Sequence, residues 1–158
     1  MRRTFADCLL EEMQFNKDIF LLMGDLGYKV FDAHIVSFPD RVFNCGASEQ
    51  MMLDVAVGLA QSGKIPFVYS ITPFLIYRGF ETLRTYINHE NVNVKLIGSG
   101  RDKDYEIDGF SHDATDVKTI LSTLPNIIQF WPSEKEELKG MIQEMIINNK
   151  PSFLSLRR

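Results

Sequence analysis

The chain has 158 residues, 45% of them apolar and 24% charged, which excludes a disordered, collagen-like or disulfide-scaffold protein. Seventeen Lys and Arg against 21 Asp and Glu give a net charge of −4, without the basic surplus that a nucleic-acid binder uses. The longest apolar run, Ile19–Met23, has five residues, far short of the roughly 20 that a membrane-spanning helix needs.

The amino terminus, Met1-Arg2-Arg3-Thr4, passes directly into a stretch with Phe5, Cys8, Leu9 and Met13 at helical spacing, predicting a helix over 2–15. No apolar leader precedes it, so the chain is expected in the cytoplasm. Ile19–Met23 ends in Gly24 and reads as a buried strand. A short helix is expected within 28–37 and a short strand over Arg41–Asn44. Residues 47–62 carry Met51, Met52, Val55 and Leu59 and close on Ser62-Gly63, a helix with its stop signal. Ile65–Ser70 reads as a strand, and Pro73 suits the first position of a helix reaching about Asn88. Val92–Gly98 is a strand, 99–114 a long polar loop, and Thr115–Leu124 a helix with Asp113 and Thr115 as candidate caps. Asn126–Trp131 is a strand, Pro132-Ser133-Glu134 opens a helix to about Asn148, and Ser152–Leu156 is the last strand. Lys95 reads as a solvated strand edge, and Arg101-Asp102-Lys103-Asp104 as a mixed-charge loop. Cys8 and Cys45 have neither CxxC nor metal-ligand spacing and read as reduced, small core residues.

Apolar strands alternating with helices about six times predict one α/β domain over 1–158, a mainly parallel six-stranded sheet with helices on both faces. Ligands of such sheets lie beyond the carboxyl ends of the strands. Glu49 stands there, after a short strand and at the start of a helix. Its plain reading is a first-turn acid offsetting the helix dipole. Its apolar neighbours Ala47, Met51 and Met52 also suit a shielded carboxyl with a proton-transfer role. Phe74, Tyr77 and Phe80 recur every three residues, which reads first as a core-facing stripe. Asp108-Gly109-Phe110-Ser111-His112 reads first as a surface turn. Gly24-Asp25-Leu26 with Asn44 is only a weak match to a diphosphate-and-magnesium signature, because Leu stands where that signature has Gly. No GxGxxG follows the first strand, which argues against a Rossmann-type nucleotide site.

The stretch Phe38–Leu75 resembles the pyrimidine-binding domain of the transketolase family. It carries Gly46-Ala47-Ser48-Glu49-Gln50 at a helix start, then Val57-Gly58-Leu59-Ala60 and Gly63 before the next strand. The resemblance extends over essentially the whole chain and implies the thiamine-diphosphate-binding fold of pyrimidine type. It implies that Glu49 is the catalytic acid that hydrogen-bonds N1′ of the cofactor's aminopyrimidine and thereby promotes proton loss at thiazolium C2. It also implies that Phe74, Tyr77 and Phe80 line the pyrimidine pocket. The family's Asp-Gly-x-Thr-His segment corresponds to Asp108–His112 with Ser for Thr, so Asp108 and His112 are implied to contact sugar hydroxyls, His112 with a catalytic role. Arg2 and Arg157 fall near family arginines that hold a substrate phosphate.

The resemblance leads to the expectation that the domain binding the diphosphate and Mg2+, and the third domain, whose linker would begin at Leu156-Arg157-Arg158, are not on this chain. The expectation is therefore the small subunit of a split transketolase-like enzyme, active only with a diphosphate-binding large subunit. It would move a two-carbon ketol unit from a ketose to an aldose, with neither nucleic acid nor membrane as a partner. Paired sites and closed twofold symmetry predict a heterotetramer of two small and two large subunits. The alternatives are another thiamine-dependent lyase, synthase or dehydrogenase component, or a docking paralogue without catalysis.

Overall fold

The computed structural model describes residues 1–158. Six strands form one all-parallel sheet: β1 (Ile19–Met23), β2 (Val42–Asn44), β3 (Ile65–Ile71), β4 (Lys95–Ser99), β5 (Ile128–Phe130) and β6 (Ser152–Leu156). Their spatial order is β2-β1-β3-β4-β6-β5. The chain moves outward one way from β1 to β2 and the other way from β3 to β4. The order therefore reverses between β1 and β3, and the connections there part to leave a crevice at the carboxyl edge.

Alternation along the strands divides the apolar side chains between two cores. Leu21, Met23, Phe67, Tyr69, Ile97 and Leu154 face α1 (Arg2–Phe15) and α7 (Leu138–Ile147). Leu22, Val68, Leu96 and Phe153 face the other side, under α3 (Glu49–Gln61), α4 (Thr72–Tyr77) and α6 (Val117–Ser122). α2 (Asp32–Ser37) is a short element between β1 and β2. No helix is long and apolar enough to cross a membrane.

The single helix expected over 73–88 is three pieces: α4, then α5 (Phe80–Thr82), then a π-helix (Leu83–His89) whose wide turn shows in the bond from Glu90 N–H to Thr85 O at 3.1 Å. The break at Arg78-Gly79 has a packing cause. A Cβ on Gly79 would lie 2.2 Å from Leu53 Cδ1 of α3, so the two segments meet where any larger residue would push Leu53 aside.

Smaller differences follow from side-chain bonding. The helix expected over 115–124 begins at Val117, because the Asp113 carboxylate accepts the Thr115 N–H at 2.9 Å in a turn ahead of it; neither candidate caps the helix. Lys95 is fully buried, not a solvated edge, and its Nζ donates to Lys150 O at 2.6 Å and Asn148 Oδ1 at 3.1 Å. Arg101 is also buried, its guanidinium donating to Ser155 Oγ at 3.0 Å and Ser155 O at 2.7 Å across to β6. Asn44 ties the strand-end loops together, its Oδ1 accepting from Asp25 N–H at 3.1 Å and Gly46 N–H at 2.9 Å. Cys8 and Cys45 are free and half-buried, and burial pushes both thiols up, away from the reactive thiolate.

Candidate active site

Glu49 begins α3 at the point where the strand order reverses. Gly46, at φ +69°, turns the chain from β2 into α3, and this turn aims the Glu49 side chain across the ends of β1 and β3. The residue is only 2% exposed. Ser70, near the end of β3, donates its hydroxyl to Glu49 Oε1 at 2.9 Å. Gly24, just past β1, leaves room for the carboxylate: a Cβ there would stand 3.2 Å from Oε1 and 3.0 Å from Ser70 Oγ.

The second oxygen is met by Arg78, whose Nη1 donates to Oε2 at 2.7 Å. Arg78 lies four residues after Phe74, so the two share one side of α4 and its continuation. Its guanidinium rests over the Phe74 ring, Cζ 3.9 Å from the centroid. The His112 imidazole also meets Phe74 edge-on, with ring centroids 4.8 Å apart and planes at 65°. Glu49, Arg78, Phe74 and His112 thus form one row from the floor of the crevice to the long loop. Gln50 braces the row by donating from Nε2 to Thr82 Oγ1 at 2.7 Å and Asp54 Oδ1 at 3.0 Å, which fastens α3 to α5.

The other expected site residues are placed differently. Tyr77 donates its hydroxyl to the Asp116 carboxylate at the start of α6. Burial, with the Asp116 anion adding to it, raises the phenol's pKa and keeps it protonated. Phe80 lines a groove of about 540 Å³ shared with Arg84, Asn88 and His89. Asp108 is exposed at the end of a single 3-10 turn, and its carboxylate has no hydrogen-bond or ion-pair partner. His112 closes the next turn, with Nδ1 3.1 Å from Ser111 Oγ. Arg2 donates to Tyr105 Oη at 3.1 Å, and that hydroxyl also pairs with Ser99 Oγ at 3.0 Å. Arg157 is exposed just after β6 and makes no ion pair.

Ser70 and Arg78 carry site geometry that the reading of the sequence did not assign. The available signal for Arg78 was its four-residue spacing from Phe74. No group of three or more His, Cys, Asp or Glu side chains is arranged to hold a metal ion.

Residues 1–158 match the family described as transketolase, pyrimidine binding domain. Among curated proteins, the chain is 28% identical over 159 residues to the putative transketolase C-terminal section of Methanocaldococcus jannaschii, covering 100% of this chain and 50% of that protein. It is 29% identical over 162 residues to the 6-deoxy-6-sulfo-D-fructose transketolase subunit SqwH of Clostridium sp. MSTE9, covering 100% of this chain and 49% of that protein. Over 122 residues it is 33% identical to an apulose-4-phosphate transketolase subunit of Actinobacillus succinogenes, covering 77% of this chain and 39% of that protein. The chain spans about half the length of the first two. Among solved structures, a split-gene transketolase in an inactive beta4 tetramer superposes with a TM-score of 0.86 at 29% identity, over 99% of this chain and 51% of that one. Transketolase from Leishmania mexicana superposes at 0.88 over 99% of this chain and 25% of that one, and at 20% identity shows the shared fold alone.

Proposed function

The chain belongs to the transketolase pyrimidine-binding domain family, and on that premise we propose that it is the small subunit of a split, cytoplasmic, thiamine-diphosphate-dependent transketolase-like enzyme. One observation carries this reading: a carboxylate buried at the reversal point of a parallel sheet, with a stacked N–H donor already on it. The similarity to named transketolase subunits supports it.

The residues present fit the pyrimidine half of the cofactor. Glu49 offers a carboxyl oxygen to a ring nitrogen, and the Phe74 face offers a stacking surface 3.9 Å from a planar cation. The chain has no cluster for a metal, and in this reading Mg2+ and the diphosphate are held by the large subunit, across the interface of a two-plus-two heterotetramer. When bound, thiamine diphosphate supplies a nucleophilic carbon and an electron sink for the two-carbon ketol unit.

The chain's own residues then divide the work. Glu49 shares a proton with N1′, and its burial keeps water from competing for that bond. Ser70 fixes the carboxyl's rotation by holding Oε1. His112, packed against Phe74, is proposed to bond a hydroxyl of the ketose or aldose. Asp108, Arg2 and Arg157 belong to the same carboxyl edge and are proposed to meet the substrate there. The test is isotope exchange at thiamine C2 in the complex reconstituted with its large subunit. Glu49→Gln, nearly isosteric, is expected to slow exchange by orders of magnitude; an unchanged rate would reduce Glu49 to a helix-start acid.

A further inference from the structure

Arg78 makes, toward this chain, the contacts that the proposed cofactor ring would make. Its guanidinium is planar, donates an N–H to Glu49 Oε2 at 2.7 Å and stacks on Phe74 with Cζ 3.9 Å from the ring centroid. A planar nitrogen heterocycle that bonded Glu49 Oε2 and stacked on the same face of Phe74 would need that same space, so for that oxygen and that face the two compete.

We propose that Arg78 is an internal occupant of the pyrimidine site, which holds Glu49 and Phe74 in position and withdraws when a planar, protonatable nitrogen heterocycle replaces it. The proposal rests on the reading of Glu49 given above. Two features fit a removable occupant. The Arg78 side chain is 44% exposed while that of Glu49 is 1% exposed, so the arginine has water to move into and the glutamate does not. Arg78 also lies between α4 and α5, where the helical run is interrupted.

The need for an occupant follows from burial. A carboxylate out of water without a counter-charge is costly, and the Ser70 hydroxyl serves only one of its oxygens. Arg78 supplies the missing donor and the charge. Displacement then favours ligands that return both. An amidine-like ring, such as a 4-aminopyrimidine, can take a proton and offer a flat face. A neutral saturated ring of the same size offers neither. Arg78 would thus act as a specificity-determining residue before any substrate arrives.

The test uses the full chain and the pyrimidine half of thiamine, 4-amino-5-hydroxymethyl-2-methylpyrimidine, titrated to tens of millimolar. Affinities are compared for the wild type, Arg78→Met, Arg78→Lys, Glu49→Gln and the Glu49→Gln/Arg78→Met pair. The Arg78 Nε–Hε resonance is followed in the wild type. Arg78→Met keeps the stem's packing and removes the competing head. It is expected to bind the probe about tenfold tighter than wild type, the scale of one charged hydrogen bond. Arg78→Lys, which keeps the charge but loses the flat face, should fall between. The gain should vanish in the Glu49→Gln background, and the Arg78 resonance should shift as the probe saturates the wild type. If Arg78→Met binds no tighter than wild type while Glu49→Gln abolishes binding, Glu49 keeps its role and Arg78 is not an occupant. If Glu49→Gln leaves the affinity unchanged in both backgrounds, the reading of Glu49 and this proposal fall together.

Discussion

Gly79 stands so close to Leu53 that a Cβ added to it would lie 2.2 Å from Leu53 Cδ1, with Gln50 Cα at 3.8 Å behind. Leu53 is fully buried, so it must shift within the core to make room. This contact sets the break between α4 and α5, and so the position from which Arg78 reaches Glu49. Gly79→Ala is expected to cost about 1–3 kcal/mol by overpacking, more than the few tenths to 1 kcal/mol that alanine returns by restricting the unfolded chain. Urea unfolding of Gly79→Ala, Leu53→Ala and the double variant checks the cause. The glycine substitution should cost markedly less when Leu53 is already truncated. Equal costs in both backgrounds would place the strain elsewhere.

The frame of the fold was legible because its signals are local. Ile19–Met23 is an unbroken apolar run ending at Gly24, Ser152–Leu156 is a Phe- and Leu-bearing segment opened by Pro151, and both are strands with those limits. The π-helix and the Arg78-Gly79 break were not legible. A single glycine in a helical pattern reads as a small penalty, and its close approach to Leu53 is a tertiary fact. Lys95 misread for a related reason: its charge suggests water, while the acceptors that let it stay buried, Lys150 O and Asn148 Oδ1, lie more than fifty residues away. Glu49 could be placed at a helix start from its neighbours. Its ion pair with Arg78 depends on how α3 and α4 pack and has no trace in spacing along the chain.

Lys95 gives a pH prediction. Burial lowers its ammonium pKa to about 7 from 10.5. A neutral amine still has two N–H donors for its two acceptors, so deprotonation costs no hydrogen bond. Between pH 7 and about 10 the unfolded chain binds the proton that the folded chain has released. Stability should therefore rise across that window, by at most about 1.4 kcal/mol per pH unit, and level off above it. Lys95→Met should remove that rise. Chemical denaturation of both proteins at pH 7, 8.5 and 10 measures the difference; parallel curves would mean that Lys95 stays charged when folded.

His34 acts in the opposite pH range. It is 1% exposed, and neither ring nitrogen has a hydrogen-bond partner. Burial draws its pKa down to about 4 from 6.5, and the Asp7 carboxylate on α1 pulls the other way too weakly to offset it. The unfolded chain therefore binds more protons between pH 6.5 and 4, so stability is lost as pH falls through that range. His34→Phe keeps a flat ring beside Phe31, whose centroid is 5.2 Å from the imidazole. It removes two unpaired polar atoms, so it should raise stability at pH 5 more than at pH 7. Thermal midpoints at the two values test it, and an equal shift at both would show that the imidazole does not titrate in this range.

His112 separates sugar recognition from activation of the cofactor. In the proposed complex Glu49 acts before substrate arrives, whereas His112, packed against Phe74, acts only when a hydroxyl is there to bond. His112→Ala should therefore weaken ketose turnover while leaving hydrogen exchange at thiamine C2 nearly normal. One hydrogen bond to a neutral group is worth about 0.5–1.5 kcal/mol, and more where its partner is left buried and unpaired. A loss in kcat/KM on the order of tenfold is expected in the reconstituted complex. The imidazole also packs against Phe74, so a second outcome is informative. If exchange at C2 falls along with turnover, His112 works by holding the Phe74 ring, and His112→Phe should then restore exchange without restoring ketose turnover. If neither rate changes, the loop from Asp108 to His112 is an ordinary turn, and a sugar substrate loses its main support among the residues of this chain.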